Sequence, residues 1–491
     1  MELVLGLDAG TTGVRCVALD TSARVVDAAY REFTQYFPEP GWVEHDPLEI
    51  ASSAVFVLRD VASRALSQGH QIVCVGLTNQ RETTVAFDRT NGHIAHHAIV
   101  WQDRRTAQRC ADLRRDELEP LIRHTTGLML DSYFSATKMQ WLLERGVLDG
   151  ATSPSLCTID TWLLWSLSGG PEGGAYVSEP SNASRTMLMD LETLDWSSAM
   201  LDLFSIPSHA LADIRPSSST FVRISPDVIP ELAGVAITGV LGDQQAALFG
   251  QACFDEGVVK ATYGTGAFIL ANAGEKNPGV YDGLVTSVAW DLGAFGPVTY
   301  CVEGSAFVAG AAVQWLRDEL GFLAASSELE ALATQVTTSD GVRFVPAFVG
   351  LGSPFWNSNA RGSLTGLSLS TRRAHIARAV LESLAFQVRA ITDAFQDAGI
   401  ALRELRSDGG AAAMNSLMQL QATNSRLDVR RSTSLEATAR GAATLAGLAS
   451  GFWDSLHELR ELWEYDAHFL PEDPTNVDLE YDAWLRACER S

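Results

Sequence analysis

Two carboxylates close apolar runs and sit beside small residues. Asp8 ends "LVLGLD" and leads into "AGTTG" (Ala9 to Gly13), and Asp243 ends "GVLGD" and leads into "QQAALFG". A short turn of Gly and Thr offers backbone N–H groups and hydroxyls, a combination suited to phosphate oxygens, and a neighbouring carboxylate can hold a cation directly or through water. The pattern returns in "TYGTG", which supplies Gly264, Thr265 and Gly266. Such residues suit phosphoryl transfer, which rests on positioning and charge neutralisation more than on covalent chemistry. Thr11, Thr12, Gly264, Thr265 and Gly266 would cradle β- and γ-phosphates from two sides. Asp8 would hold Mg²⁺ through water, and Arg15, just past the first turn, would offer a guanidinium. Asp243 would take the proton of an attacking hydroxyl, a role worth about 10²–10⁴-fold.

The elements that must hold these residues are also legible. "LGLDAGTTGVRCVALD" is two apolar runs around a small-residue turn, which predicts a β-hairpin. "GVVKATYGTGAFILANAG" (Gly257 to Gly274) repeats that grammar in the second half of the chain. A third junction, "LRSDGGAAAMNSLMQLQA", sets Gly409 and Gly410 between a strand-like and a helix-like run. "QIVCVGLTNQRETTVAFD" reads as strand, polar interruption, strand; "YFSATKMQWLLERG" and "TIDTWLLWSLSGG" read as helices stopped by glycine. Alternating strands and helices predict an α/β protein, and one hairpin per half predicts two similar domains, 1–250 and 251–491, facing each other across a cleft.

The totals narrow the partners. A chain of 491 residues exceeds one ordinary core, and 46% hydrophobic with 20% charged residues is a globular composition. A net charge of −24 argues against nucleic acid, so a polyphosphate must be held by amides, a metal and a few Arg. Lysine occurs only at Lys138, Lys260 and Lys276, which reads as compositional bias. Seven Cys without a C-x-x-C pair predict reduced thiols in a cytoplasmic protein, and no apolar run is long enough to span a membrane. "HIAHH" (His93 to His97) reads as solvent-facing histidines near a turn, not a metal site. Neither a P-loop, nor a G-x-G-x-x-G after a strand, nor a protein-kinase motif set is found, so a nucleotide site here would be of the actin-like kind.

The chain resembles the FGGY carbohydrate kinases, and within them those acting on glycerol. The motifs "GWVEHDP", "TNQRETT", "IVWQDRRT", "YFSATK", "SNASRTML", "GDQQAALFGQ", "TYGTG", "FVPAFVGLGSPFW" and "GLASGFW" follow in family order over nearly the whole chain. The resemblance implies two ribonuclease-H-like domains closing on ATP·Mg²⁺ and a polyol, with the γ-phosphoryl passing to a terminal hydroxyl. It implies a glycerol pocket of Arg81, Glu82, Tyr133, Asp243 and Gln244, walled by Trp101 and Phe268. A triol has hydroxyls on one edge and C–H groups on the other, which such a set would match. Thr11, Thr12, Gly13 and Arg15 would meet phosphate from one side, Thr265 and Gly266 from the other, while Gly310, Gln314, Gly410 and Met414 fall at nucleotide-contacting positions. Asp8 and Asp243 would serve the metal, and a homodimer or homotetramer is implied. Ala9 and Gly13 stand where the family usually has Gln and Ser, and Met414 where many members have Asn. The segment "RISPDVIPELAG" has no Lys or His, which implies neither inhibition by a sugar bisphosphate nor activation by His phosphorylation there. Other readings are a sibling kinase of erythritol or xylulose, and a non-catalytic actin-like binding protein.

Overall fold

The computed structural model describes residues 1–434, 436–472 and 477–491. Two large sheets dominate it. In the first, the strands run in the order Ser218–Arg223, Ala236–Gly242, Gln71–Asn79, Glu2–Ala9, Gly13–Leu19, Val25–Glu32. Glu2–Ala9 and Gly13–Leu19 form the expected hairpin, with Asp8 opposite Arg15. Val25–Glu32 extends it antiparallel, while Gln71–Asn79 and Ala236–Gly242 add on parallel. The second sheet repeats this plan. Val258–Tyr263 and Ala267–Gly274 form its hairpin, Val298–Ala306 continues antiparallel, and Glu404–Asp408 then Asp428–Ser432 add on parallel. The repeated hairpin grammar thus reflects a repeated sheet, and the α/β expectation holds.

Each sheet buries one face under helices. Pro47–Ser67 covers the first; Asp46 caps it by accepting from the Leu48 N–H, and Pro47 opens it. Its buried Ile50, Ala54, Val57, Leu58, Val61 and Ala65 recur every three to four residues and face the sheet, each larger aliphatic contributing about 1.5–3 kcal/mol. The long helix Arg373–Asp397 does the same in the second half.

The two halves meet through the helix Ala437–Ser450, which lies on the first sheet although it comes from the end of the chain. The contact is backbone to backbone. A Cβ at Gly6 would fall 2.2 Å from the Ala439 carbonyl oxygen, one at Gly76 1.9 Å from that of Ala442, and one at Gly239 2.6 Å from the Ala446 nitrogen. Those three glycines lie on three adjacent strands, and nothing larger fits.

Two expectations need correction. "HIAHH" does follow a turn, at 89–92, and runs into the strand His93–Ile99, but only His93 faces solvent, while His96 and His97 are partly shielded beside Glu44 at 3.8 and 3.5 Å. Among the described residues no cluster of three metal-ligating side chains occurs. The lysines are not mere bias: Lys138 and Lys260 are fully buried. All seven cysteines are free and buried, in keeping with a structural role. No helix among the described residues is long and apolar enough to cross a membrane.

Candidate active site

Asp243 is the first residue of the helix Asp243–Gly250 and follows directly on the central strand Ala236–Gly242. Gly242 must be glycine, because a Cβ there would sit 2.7 Å from the Arg81 side chain that crosses it. Arg81 Nε lies 3.0 Å from Asp243 Oδ1, an oxygen that also accepts from the Gln244 N–H. The Asp243 side chain remains 26% exposed, unlike the Arg81 that holds it.

Behind Asp243 lies a buried ionic quartet. Arg81 donates through Nη1 and Nη2 to both oxygens of Glu303 at 2.7 and 3.2 Å. Arg185 donates through Nε to Glu82 at 2.6 Å and through Nη2 to Glu303 at 3.3 Å. Two cations and two anions, all out of solvent, neutralise one another. Burial pushes the Glu303 carboxyl up, but Arg185 and Arg81 together pull it down to about 2, so it stays ionised. Glu82 holds its place with a left-handed φ of 62°, backbone strain of the kind found at functional sites.

An aromatic wall joins this quartet. Tyr133 lies under the Arg185 guanidinium at 5.5 Å and meets Trp101 edge to face at 5.5 Å. The Lys138 ammonium donates to the Tyr133 carbonyl at 2.7 Å and so fixes the start of its helix. Opposite, Gln244 accepts from Lys260 Nζ at 2.5 Å, and the same ammonium lies 3.5 Å from the Phe268 carbonyl on the second hairpin. Arg81, Glu82, Trp101, Tyr133, Asp243, Gln244 and Phe268 are therefore linked by a chain of contacts, although they span both halves of the sequence.

The first turn touches this pocket, since the Trp101 indole N–H donates to the Thr11 hydroxyl at 3.0 Å. Thr12 follows, and Gly13 begins the second strand under the Tyr30 hydroxyl, 2.6 Å from where a Cβ would be. Arg15 is paired with Glu436 and stacks on Tyr30 at 5.1 Å. Asp8 is half-buried, and its Oδ1, out of solvent, has no hydrogen-bond partner among the described residues. Burial, then Asp243 and Glu436, push its carboxyl up to about 7 against the pull of Arg15. An orphaned carboxylate oxygen amid negative charge fits a cation held mainly by water and phosphate, since no three-ligand cluster occurs among the described residues.

The second turn is pinned to a helix. Gly310 N–H donates to the Gly264 carbonyl at 2.9 Å, and the Ala309 and Ala311 N–H groups donate to that of Thr265 at 2.8 and 3.0 Å. Gly266 packs on the Ala306 carbonyl, and Gln314 stands exposed one turn along the helix Gly310–Asp318. Gly410 opens a short 3-10 turn after the strand Glu404–Asp408, with open space where a Cβ would go. Met414 sinks into the core of the second half, and the neighbouring Asn415 is engaged by Arg431 at 2.9 Å.

Three residues of this assembly carry no mark of the pocket in the sequence: Arg185 lies within "SNASRTML", Glu303 within an apolar run, and Lys260 is one of three scattered lysines. The signal that could have raised them is chemical: a lone Lys or Arg inside an apolar strand or beside small polar residues demands a buried counter-charge.

The FGGY family of carbohydrate kinases matches this chain through its N-terminal domain over residues 3–250 and its C-terminal domain over residues 259–450. The chain is 45% identical to a glycerol kinase of Geobacillus kaustophilus, with 99% of this chain and 98% of the relative covered. It is 46% identical to one of Petrotoga mobilis, covering 100% and 98%. Among solved structures, Plasmodium falciparum glycerol kinase with ADP superposes with a TM-score of 0.93 at 34% identity, covering 100% of this chain and 98% of that one. A xylulose kinase from Lactobacillus acidophilus, at 20% identity and a TM-score of 0.89, shares the fold. With both family domains matched and full-length relatives at this identity, the chain belongs to the FGGY family of carbohydrate kinases.

Proposed function

We propose that this protein transfers the γ-phosphoryl group of ATP to a terminal hydroxyl of glycerol, giving sn-glycerol 3-phosphate. The observation that carries the reading is Asp243. One of its oxygens is held by Arg81 and the Gln244 N–H, its side chain stays part-exposed, and it stands at the end of a central strand within reach of the charge of Asp8 on the first turn. The full-length likeness to glycerol kinases supports the same substrate.

In this reading glycerol lies with its hydroxyls toward Arg81, Glu82, Tyr133, Asp243 and Gln244 and its C–H edge against Trp101 and Phe268. Asp243 Oδ2 accepts the proton of the attacking hydroxyl, while Arg81 keeps the carboxylate oriented. Thr11, Thr12, Gly13 and Arg15 face the phosphates from the first half, with Arg15 first leaving Glu436. Thr265 and Gly266 face them from the second half, Gly310, Gln314 and Gly410 line the nucleotide side, and Met414 supports that side from the core behind the Gly410 turn. Asp8, with Asp243 close by, would hold Mg²⁺ through water; when bound, the ion neutralises charge on the β- and γ-phosphates. Residues 1–250 carry the polyol and the first phosphate turn, residues 251–491 the nucleotide. Cytoplasmic residence and a homodimeric or homotetrameric state complete the proposal.

The test is ADP release with ATP and glycerol, set against a panel of other polyols and ketoses. Turnover of glycerol well above the panel is expected. Turnover confined to another acceptor would move the specificity, and silence with every acceptor would overturn the reading.

A further inference from the structure

We propose that His45 is a positioning residue that ties the first phosphate turn to the polyol wall through a closed ring of hydrogen bonds. The inference rests on the pocket reading above but concerns residues to which that reading gives no part.

The ring can be followed atom by atom. His45 Nε2 pairs with Gln35 Oε1 at 2.7 Å, and Gln35 Nε2 donates to the Thr11 carbonyl at 2.8 Å. His45 Nδ1 pairs with Gln80 Nε2 at 3.2 Å, and that amide also donates to the Gly10 carbonyl at 3.1 Å. Gln80 Oε1 accepts from the Thr83 hydroxyl at 2.9 Å, and the Thr83 oxygen accepts from the Trp101 N–H at 3.3 Å. The Trp101 indole then donates to the Thr11 hydroxyl at 3.0 Å, which closes the circuit.

Donors and acceptors alternate without conflict only if His45 is neutral with its proton on Nε2. Gln80 must present its amide N–H to Nδ1, because its oxygen is taken by Thr83. The imidazole is fully buried, and burial pushes its pKa down to about 4, which agrees with that requirement. Phe33 packs edge to face on the ring at 5.0 Å and keeps water from competing.

The layout has a functional corollary. Both turn carbonyls that precede Thr12 are held by amides that His45 orients. The Thr11 hydroxyl is held by Trp101, the residue against which the polyol would rest. Polyol pressed on Trp101 therefore fixes the turn that receives phosphate, and by reciprocity phosphate in the turn fixes the wall.

The experiment measures binding of β,γ-methylene ATP by calorimetry, with and without saturating glycerol, to the wild-type protein, His45→Phe and Gln35→Leu. Phe keeps the ring volume but makes neither hydrogen bond; Gln35 is only partly buried, so its variant carries the test if His45→Phe does not fold. Glycerol is expected to tighten analogue binding in the wild type. The variants are expected to bind the analogue about 5- to 20-fold more weakly, as lost hydrogen bonds would give, and to lose the effect of glycerol, with kcat at saturation changed by no more than about threefold. A folded variant with wild-type analogue affinity and wild-type response to glycerol overturns the proposal. A wild-type protein whose analogue binding ignores glycerol overturns the coupling. Failure of the wild type to phosphorylate glycerol would instead overturn the pocket reading, and analogue affinity of the variants without glycerol would still decide whether His45 holds the turn.

Discussion

Glu303→Gln is the most informative single change in the buried quartet. Glu303 accepts hydrogen bonds from both guanidiniums, at 2.7 Å from Arg81 and 3.3 Å from Arg185, whereas Glu82 is bonded to Arg185 and lies 3.9 Å from Arg81. Its pKa falls from an ordinary 4.5 to about 2 on folding, because Arg185 and Arg81 outweigh the cost of burial. That difference corresponds to about 3 kcal/mol of stability at neutral pH, and full burial leaves no solvent screening to discount. Breaking a buried pair by removing one partner costs about 3–5 kcal/mol, an independent figure of the same size. Glutamine keeps the shape but leaves two cations to share Glu82 and the part-exposed Asp243. The assay is urea unfolding followed by tryptophan fluorescence, from pH 7 to pH 3. The sign follows from a depressed pKa: the contribution is present above 4.5 and is lost as pH falls toward 2. The gap between wild type and variant should be about 3 kcal/mol at pH 7 and about half that at pH 3. A gap below about 0.5 kcal/mol at pH 7, or one that stays constant to pH 3, would refute the reasoning.

Other changes probe the remaining parts. Asp243→Asn should lower kcat by about 10²–10⁴ with the fold intact, checked by steady-state ADP release; near-normal turnover would remove its role as base. Lys260→Met takes away the donor that fixes Gln244 and should raise the KM for glycerol about tenfold, within the range for a charged hydrogen bond, read from initial rates against glycerol. Burial lowers the Lys138 pKa from 10.5 to about 8, so between those values the unfolded chain binds the extra proton and stability should rise with pH. Lys138→Met should flatten that rise in unfolding midpoints taken from pH 8 to 10.5, and an unchanged slope would contradict it.

What could be read from the sequence was local. Asp8, Asp243 and the two Gly-Thr turns announce themselves because strand ends, glycines and hydroxyls lie within a few residues of one another. The polar interruption at Gln80 to Thr83 was visible for the same reason. Arg185 and Glu303 were not, because their meaning comes from meeting Glu82 and Arg81 across more than a hundred residues, a distance no spacing encodes. Lys260 looked like an accident of composition until the fold closed Gln244 over it. The histidines of "HIAHH" misled in the opposite direction: their place beside a turn was legible, but polar residues on the strand His93–Ile99 look fully solvated when the neighbouring Glu44 cannot be seen.

The helix Ala437–Ser450 gives the two halves an unusual kind of joint. Most packed helices mesh side chains into the grooves of their partners, and rotating one past another means unmeshing them. Here Gly6, Gly76 and Gly239 present bare backbone to Ala439, Ala442 and Ala446. The joint is a close-set seam: bare backbone meets the helix at these three points, while Leu445 and Leu448 of the same helix are buried among Val4, Cys74 and Leu241. A single methyl group added at any of these glycines would strike the helix backbone and act as a wedge, forcing helix and sheet apart at the line where the two halves join.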